Sequence, residues 1–514
     1  MEVKLNTNPN NKKQKYDKTL IIIPLLLVAI ASVFFLVYPE KSASVLNNVS
    51  NYFVSKTGWL FMSFPPVMLL ISMYWAFSKR GNIRMGGDNA KAPISMWTYI
   101  IILFSAGMGA GSVVFSMVEW AYYYSAPPFG MEAFSLAAAE MSTAYNMFHW
   151  GISIATLNML LAIPFCYCYY IRKHNTLRLG DMCGIMIGED KKYSKVLVKV
   201  INLIFIIAVL GSLSTTLGLG IPHISRSLSI VFGFPESSLI NIAVILFIAV
   251  LFSFSSYLGI SKGLQKLSEI NVYWGFIFLA IILFGGSTIF ILDNMANAIG
   301  LMLQNYIRMS FNLDPVFGGG FAQDWTIFFI CYAWGFVAMT SVVIVKLSYG
   351  RTFREMILGN IFGVAAGLFV LMGINGSNAL SLQLEGKFDV AGTLASEGIQ
   401  SAIVGILGQT VMGTVVGVIA FAIMLVLFIA TTMDGASLTL ASATIDKIDV
   451  QEEPSPVMRL VWCVILSVIP LTLTAVGAGL GTLQSLVNLI GWPIMIIGIF
   501  MLIKTGKWAK EDGY

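Results

Sequence analysis

"SAGMGAGSVVFSMVEW", Ser105 to Trp120, decides how this chain folds. Residues 97–124 around it are apolar enough for a membrane helix, yet Gly107, Gly109 and Gly111 sit midway and Glu119 near the end. Two readings are open. Gly107 and Gly111 lie four apart, the spacing of a tight helix–helix contact. Alternatively the helix unwinds near the midplane, where glycine eases irregular backbone and freed carbonyls ligate a cation or a substrate in a cavity.

The rest of the chain supplies the frame. Of its 514 residues, 57% are hydrophobic and 11% charged, and its mean hydropathy is +0.81; soluble domains carry about 25% charged residues. Hydrophobic stretches long enough to span a bilayer, about 20 residues each, occur at 19–39, 56–78, 97–124, 143–171, 197–221, 238–259, 268–292, 325–345, 355–378, 412–444, 460–478 and 482–503. The first is an anchor rather than a cleaved signal, since no A-x-A site follows. With the N-terminus inside, 26 of the 31 Lys and Arg fall on one side and five (Lys41, Lys56, Arg226, Arg308, Lys387) on the other. That bias places both termini in the cytoplasm. The chain is expected to be an all-α, multi-pass protein of the cell membrane with twelve transmembrane helices.

Further motifs narrow the class. No G-x-x-x-x-G-K-[ST] occurs, so transport would be driven by a gradient rather than by ATP. The five cysteines and three histidines have no ligand-like spacing, and no resident cofactor is expected. No paired His/Asp/Glu constellation lies within the spans, which argues against an enzyme; nothing suggests the symmetric filter of a channel. A second helix interruption is expected in a matching half, at Gly335 of the eighth span. This pairs spans 3–7 with 8–12 as five-helix inverted repeats. The tenth span carries "FIATTMDGASLTLASAT". Its hydroxyls either bond to their own backbone or offer Thr431 and Thr432 oxygens to Na⁺, and Asp434 needs a partner or water. The segment "NMANAIGLMLQNYIRMSFNL" is amphipathic and reads as an interfacial helix. Expected divisions are therefore an N-terminal tail at 1–18, two additional spans at 19–96, the first repeat at 97–292, the interfacial segment at 293–324, the second repeat at 325–503 and a short tail at 504–514.

Aromatic residues crowd the same regions: Tyr122, Tyr123 and Tyr124; Trp150; and Tyr332, Trp334 and Phe336. Interface belts account for many membrane Trp and Tyr residues. Deeper ones can hold a quaternary ammonium group by cation–π attraction, about 2 kcal/mol or more per contact when desolvated.

Together, "GMGAG", "YYYSAPPFG", "FHWG", "LGLG", "GISKGLQKLSEIN", "DWTIFF" and "YGRTFRE", in this order along nearly the whole chain, resemble the betaine–choline–carnitine transporter family. The resemblance implies a leucine-transporter-like 5+5 core and a homotrimer contacting through the amphipathic segment. It also implies a trimethylammonium-binding aromatic box. Tyr122 and Trp150 match box positions. Span 8, where many members read W-A-W-W, has "ICYAW": Tyr332 aligns with one tryptophan, Ala333 falls at the next, and Trp334 is expected to substitute. Phe336 and the backbone of Gly107, Met108 and Gly109 complete the expected substrate site. The Na⁺ site of coupled members maps to Ser105, Met108, Phe428, Thr431 and Thr432, with Thr215 or Thr216 as a weaker second site. Sodium-independent exchangers carry an arginine and a methionine where this chain has Gln265 and Thr340, so the resemblance favours Na⁺ symport of a betaine-like compound. A precursor/product exchanger and a carrier of a less methylated amine are the alternatives. Only about ten residues follow the last span, so no tail-mediated osmotic activation is expected.

Overall fold

A computed structural model describes residues 14–107, 109–188, 194–235, 237–316, 318–448, 452–476 and 480–514. Twenty α-helices follow in chain order. The first ten are α1 Thr19–Val37, α2 Pro39–Phe77, α3 Met96–Gly107, α4 Ala110–Ser125, α5 Leu136–Trp150, α6 Ile152–Leu157, α7 Met159–Cys166, α8 Leu179–Ile187, α9 Ser194–Phe232 and α10 Ser238–Gly259. The others are α11 Gln265–Gly285, α12 Thr288–Phe311, α13 Ile327–Leu347, α14 Phe353–Leu358, α15 Val364–Leu384, α16 Val390–Glu397, α17 Ile399–Gly408, α18 Gly413–Ala443, α19 Pro456–Val476 and α20 Leu480–Glu511. The described residues contain two isolated β-bridges and no strand ladder.

Local sequence sets the ends. Ser135 accepts the Ala138 amide at 3.2 Å to start α5. Thr352 and Glu355 form a reciprocal capping box at α14. Pro39 occupies the first turn of α2, where its missing N–H is no loss.

Among the described residues, nine helical runs are long and apolar enough to cross a membrane, and a bent pair makes a tenth. One run, Leu239–Gly285, has 47 residues, about 70 Å of helix against a hydrocarbon core of about 30 Å. It includes both the sixth and seventh stretches read from sequence, and Gly259 at φ +85° breaks it between them. The eleventh stretch falls on α19, with 477–479 outside the described residues. The chain is thus an all-helical, membrane-embedded protein with many spans.

Two expectations change. Gly335 does not interrupt a helix: α13 runs unbroken through it. A Cβ there would lie 2.2 Å from Ser212 Cβ, so the glycine serves close packing of α13 on α9. The amphipathic segment begins earlier than 293, as α12, with Asn294, Ala298, Met302 and Met309 buried and Leu303, Ile307 and Phe311 exposed. Residues 390–408, given no element by the sequence reading, form α16 and α17, which pack over α4, with α17 also against α9.

Candidate functional site

The opening stretch breaks. The axes of Met96–Ser105 and Ala110–Ser125 differ by 74°. Gly109 is extended, with φ −74° and ψ −178°. The two halves then serve different partners: α3 packs on α11 and α18, and α4 on α5 and α15. Glycine is required here by close approach. A Cβ on Gly109 would lie 2.6 Å from Thr216 Cγ2 and 3.2 Å from Phe336, and one on Gly107 would lie 3.0 Å from Thr340 Cγ2. Of the two readings, unwinding accounts for the stretch. Met108 lies outside the described residues.

An aromatic stripe flanks the break. On α13 and the π-helical turn Ala322–Thr326 that leads into it, residues four and three apart share a face, and the stripe is Trp325, Phe329, Tyr332 and Phe336. Trp325 stacks near Phe329 at 6.4 Å, and Tyr332 meets Phe336 at 5.0 Å. Trp150, from the end of α5, faces this stripe, with ring centroids 5.2 Å from Phe329 and 6.1 Å from Tyr332; Phe115 of α4 closes on it at 6.2 Å. Tyr332 hydrogen-bonds Thr216 at 2.8 Å, which links the stripe to the residue touching Gly109. Tyr122 is half-buried and pairs with Trp325 at 4.8 Å, at the far end of the stripe.

Trp334 does not join this group. Two residues past Tyr332 is about 200° around a helix. Its ring meets Phe64 of α2 edge-on at 4.9 Å and abuts Gly491 of α20. The expected substitution by Trp334 therefore fails for a geometric reason, and Trp325, Phe329 and Phe115 supply the rings that sequence matching missed. The signal for Trp325 and Phe329 was the i, i+4 aromatic spacing in "WTIFFICYAWGF"; Phe115 of α4 had none. Trp334→Phe is expected to leave substrate affinity within about twofold, since the ring packs between helices outside the stripe. A tenfold loss in a binding titration would put Trp334 back in the site.

Behind Trp150 sits Glu119. Its Oε2 accepts the Trp150 indole N–H at 2.5 Å and its Oε1 accepts the Tyr123 hydroxyl at 2.6 Å. His149 Nδ1 lies 2.8 Å from the Tyr123 oxygen, and Nε2 lies 3.0 Å from Thr326 Oγ1. Because Tyr123 donates to Glu119, His149 Nδ1–H donates to Tyr123 and Nε2 accepts from Thr326. The network ties Glu119 of α4 to Trp150 and His149 of α5 and, through His149, to Thr326 just before α13.

Four of the five residues read for Na⁺, all but Met108, are brought together across two helices. Thr431 Oγ1 is 3.1 Å from the Ser105 carbonyl and 3.0 Å from the Phe428 carbonyl, and Thr432 Oγ1 is 2.8 Å from that same Phe428 oxygen. Asn271 of α11, inside the quoted "GISKGLQKLSEIN", donates to Thr431 Oγ1 at 3.3 Å, while its own Oδ1 is buried without a partner among the described residues. Neutral carbonyl, hydroxyl and amide oxygens suit a hard cation, and the orphan Asn271 oxygen fits such a ligand set. Phe104 and Phe428 pack edge-on at 5.9 Å beside it, lining an apolar crevice of about 200 Å³ between α3, α11, α15 and α18. Gln265 at the start of α11 bonds Glu269 at 2.9 Å. Thr340 is held by Asn158 at 2.9 Å, and Asn158 by Asn360 at 3.2 Å, a polar tie on the other side of Gly107. Thr215's side chain lies outside the described residues. All five cysteines are buried free thiols. Among the described residues, no group of three or more His, Cys, Asp or Glu is placed to hold a metal ion.

Comparison with known proteins agrees with this architecture. Residues 19–514 match the profile of the BCCT family, described as betaine/carnitine/choline family transporters. The chain is 31% identical over 452 residues to the uncharacterized transporter YeaV of Escherichia coli strain K12, covering 87% of this chain and 92% of that one. It is 28% identical over 508 residues to a carnitine transporter of Acinetobacter baumannii, covering 99% and 92% respectively. A profile match across nearly the whole length settles the assignment: the chain belongs to the betaine/carnitine/choline (BCCT) transporter family.

Proposed function

We propose that the chain is a Na⁺-coupled importer of small quaternary-ammonium compounds, glycine betaine or a close relative such as carnitine or choline. The observation that carries this is the aromatic group of Trp150, Phe329, Tyr332 and Phe336 set against a backbone break at Gly109. Stacked rings bind a cation that has no hydrogen to donate, because their faces are negative. The relative described as a carnitine transporter supports the same substrate class. Ser105, Phe428, Thr431 and Thr432, together on one side of the break, support Na⁺ as the coupling ion. The residues would work as follows. Na⁺ replaces the hydroxyl-to-carbonyl bonds between α3 and α18 and pins α3 in one pose. The substrate cation enters among rings that are now mutually packed, Trp150 at 1% and Tyr332 at 3% exposure, so binding requires the stripe on α13 to part from α5. Rocking of α3, α4, α5 to α7, α13, α14 and α15 against the other helices then alternates access. Twelve spans, ten of them in two inverted five-helix repeats, a cytoplasmic N- and C-terminus, placement in the plasma membrane and a homotrimer contacting through α12 belong to the same proposal.

The test is uptake of radiolabelled glycine betaine into proteoliposomes with and without an inward Na⁺ gradient, competed by choline, carnitine, butyrobetaine and dimethylglycine. Na⁺-driven accumulation is the expected result. Uptake that ignores Na⁺ and appears only with substrate preloaded inside would make the protein an exchanger. Thr432→Ala removes one hydroxyl ligand, and the Na⁺ concentration for half-maximal uptake is expected to rise roughly tenfold. An unchanged Na⁺ dependence would remove this site from the mechanism.

A further inference from the structure

Glu119 is 0% exposed. Among the described residues its one neighbour capable of an ion pair is His149, 3.4 Å away, and His149 donates its Nδ1 proton to Tyr123. A carboxylate this deep without a counter-cation is costly. Yet each of its oxygens accepts from a separate donor, at 2.6 and 2.5 Å, the partners that offset the desolvation of a carboxylate. One of those donors is the indole of Trp150, whose ring is turned to Phe329 and Tyr332.

We propose that Glu119 is the fixed counter-charge for the cationic end of the transported compound, acting through and behind the Trp150 ring. This rests on the proposed substrate class and extends it, since an aromatic box by itself needs no carboxylate. A cation bound to the ring lies within about 6 Å of its centroid, and the Glu119 charge lies one hydrogen bond beyond the indole edge. At that range in a poorly hydrated site the attraction is substantial. The bond from the indole N–H to an anion also pushes electron density into the ring, which strengthens its hold on a cation. Glu119 is a positioning residue by this account: it orients Trp150, and its charge adds selectivity for a cation over an uncharged group of the same shape.

That selectivity is the readout. Glycine betaine and 3,3-dimethylbutanoate are the same shape, with N⁺ replaced by carbon. Their affinity ratio is measured by competition against bound radioligand in the purified full-length protein. Glu119→Gln keeps one acceptor oxygen, which can take the Trp150 indole N–H while its amide NH2 faces the Tyr123 oxygen, and removes the charge; the ratio is expected to fall by roughly tenfold or more, with affinity for 3,3-dimethylbutanoate little changed. Tyr123→Phe strips one of the two donors that favour the charged carboxylate and leaves Trp150 bonded; the charged form is then disfavoured, and the ratio is expected to fall in the same direction. It serves if Glu119→Gln is not recovered folded. A ratio equal to wild type in either variant, or an equal loss of affinity for both compounds, would make Glu119 a structural contact and overturn the proposal while leaving transport intact. A wild-type protein that binds none of glycine betaine, carnitine or choline would overturn the proposed function and this inference with it.

Discussion

Trp150→Ala is expected to weaken glycine betaine binding by at least about thirtyfold, on the order of 2 kcal/mol for a desolvated cation–π contact. The ring is at the centre of the group: it faces Phe329 and Tyr332 from across the helix gap and Phe115 from its own side. Removing it deletes the one aromatic wall contributed by α5. It also leaves Glu119 Oε2 without its indole donor, and an unsatisfied buried acceptor adds its own penalty of about 1–3 kcal/mol. Trp150→Phe is the intermediate case, because it keeps an aromatic ring, though a smaller one, and loses the N–H. The ordering expected in a transport assay is wild type, then Phe, then Ala, read as rising KM. If Trp150→Ala transports with a KM within twofold of wild type, the substrate does not sit against this ring, and the proposed site is wrong.

How much of this was legible in the sequence differs between the halves of the site. The break at 107–109 was legible as one of two readings, because Gly107 and Gly111 also have the spacing of a tight helix–helix contact and only the fold decides between them. Thr431 and Thr432 with Ser105 and Phe428 were placed by resemblance, and the structure brings them within hydrogen-bond distance. Their companion Asn271 was overlooked, because a lone asparagine in a span has no pattern until the facing helix is known. The aromatic stripe was half legible. Matching motif positions favoured Trp334, but helix phase decides which side chains share a face, and phase puts Trp325 and Phe329 with Tyr332 and turns Trp334 to Phe64. The missed α16–α17 segment is short and its ten-residue apolar helix is below spanning length, so hydropathy passes over it.

Asp434 needed a partner, and the sequence did not name it; the fold supplies Arg459. Arg459 is 1% exposed, Asp434 0%, and Arg459 Nη2 lies 2.6 Å from Asp434 Oδ1. Ser255 and Ser256 at the end of α10 donate to the two carboxylate oxygens, and Arg459 Nη1 reaches Glu453 at 3.3 Å. Glu453 in turn accepts the Ile260 amide at 3.0 Å, next to the left-handed Gly259. One buried arginine therefore fastens α18 to α19 and, through two carboxylates, to the bend that ends α10. Arg459→Ala is expected to destabilise the protein by about 3–5 kcal/mol, because it strands a buried charge, read as a lowered denaturation midpoint in detergent. Asp434→Asn with Arg459→Met removes both charges at similar volume. It is expected to recover most of that loss, since the desolvation cost of the pair offsets much of its attraction. A double variant no more stable than Arg459→Ala would place the loss elsewhere, in the packing of the arginine stem against α18. The distinction matters for transport, because a tie whose value is geometric rather than energetic would leave the double variant stable but with altered Na⁺-driven uptake.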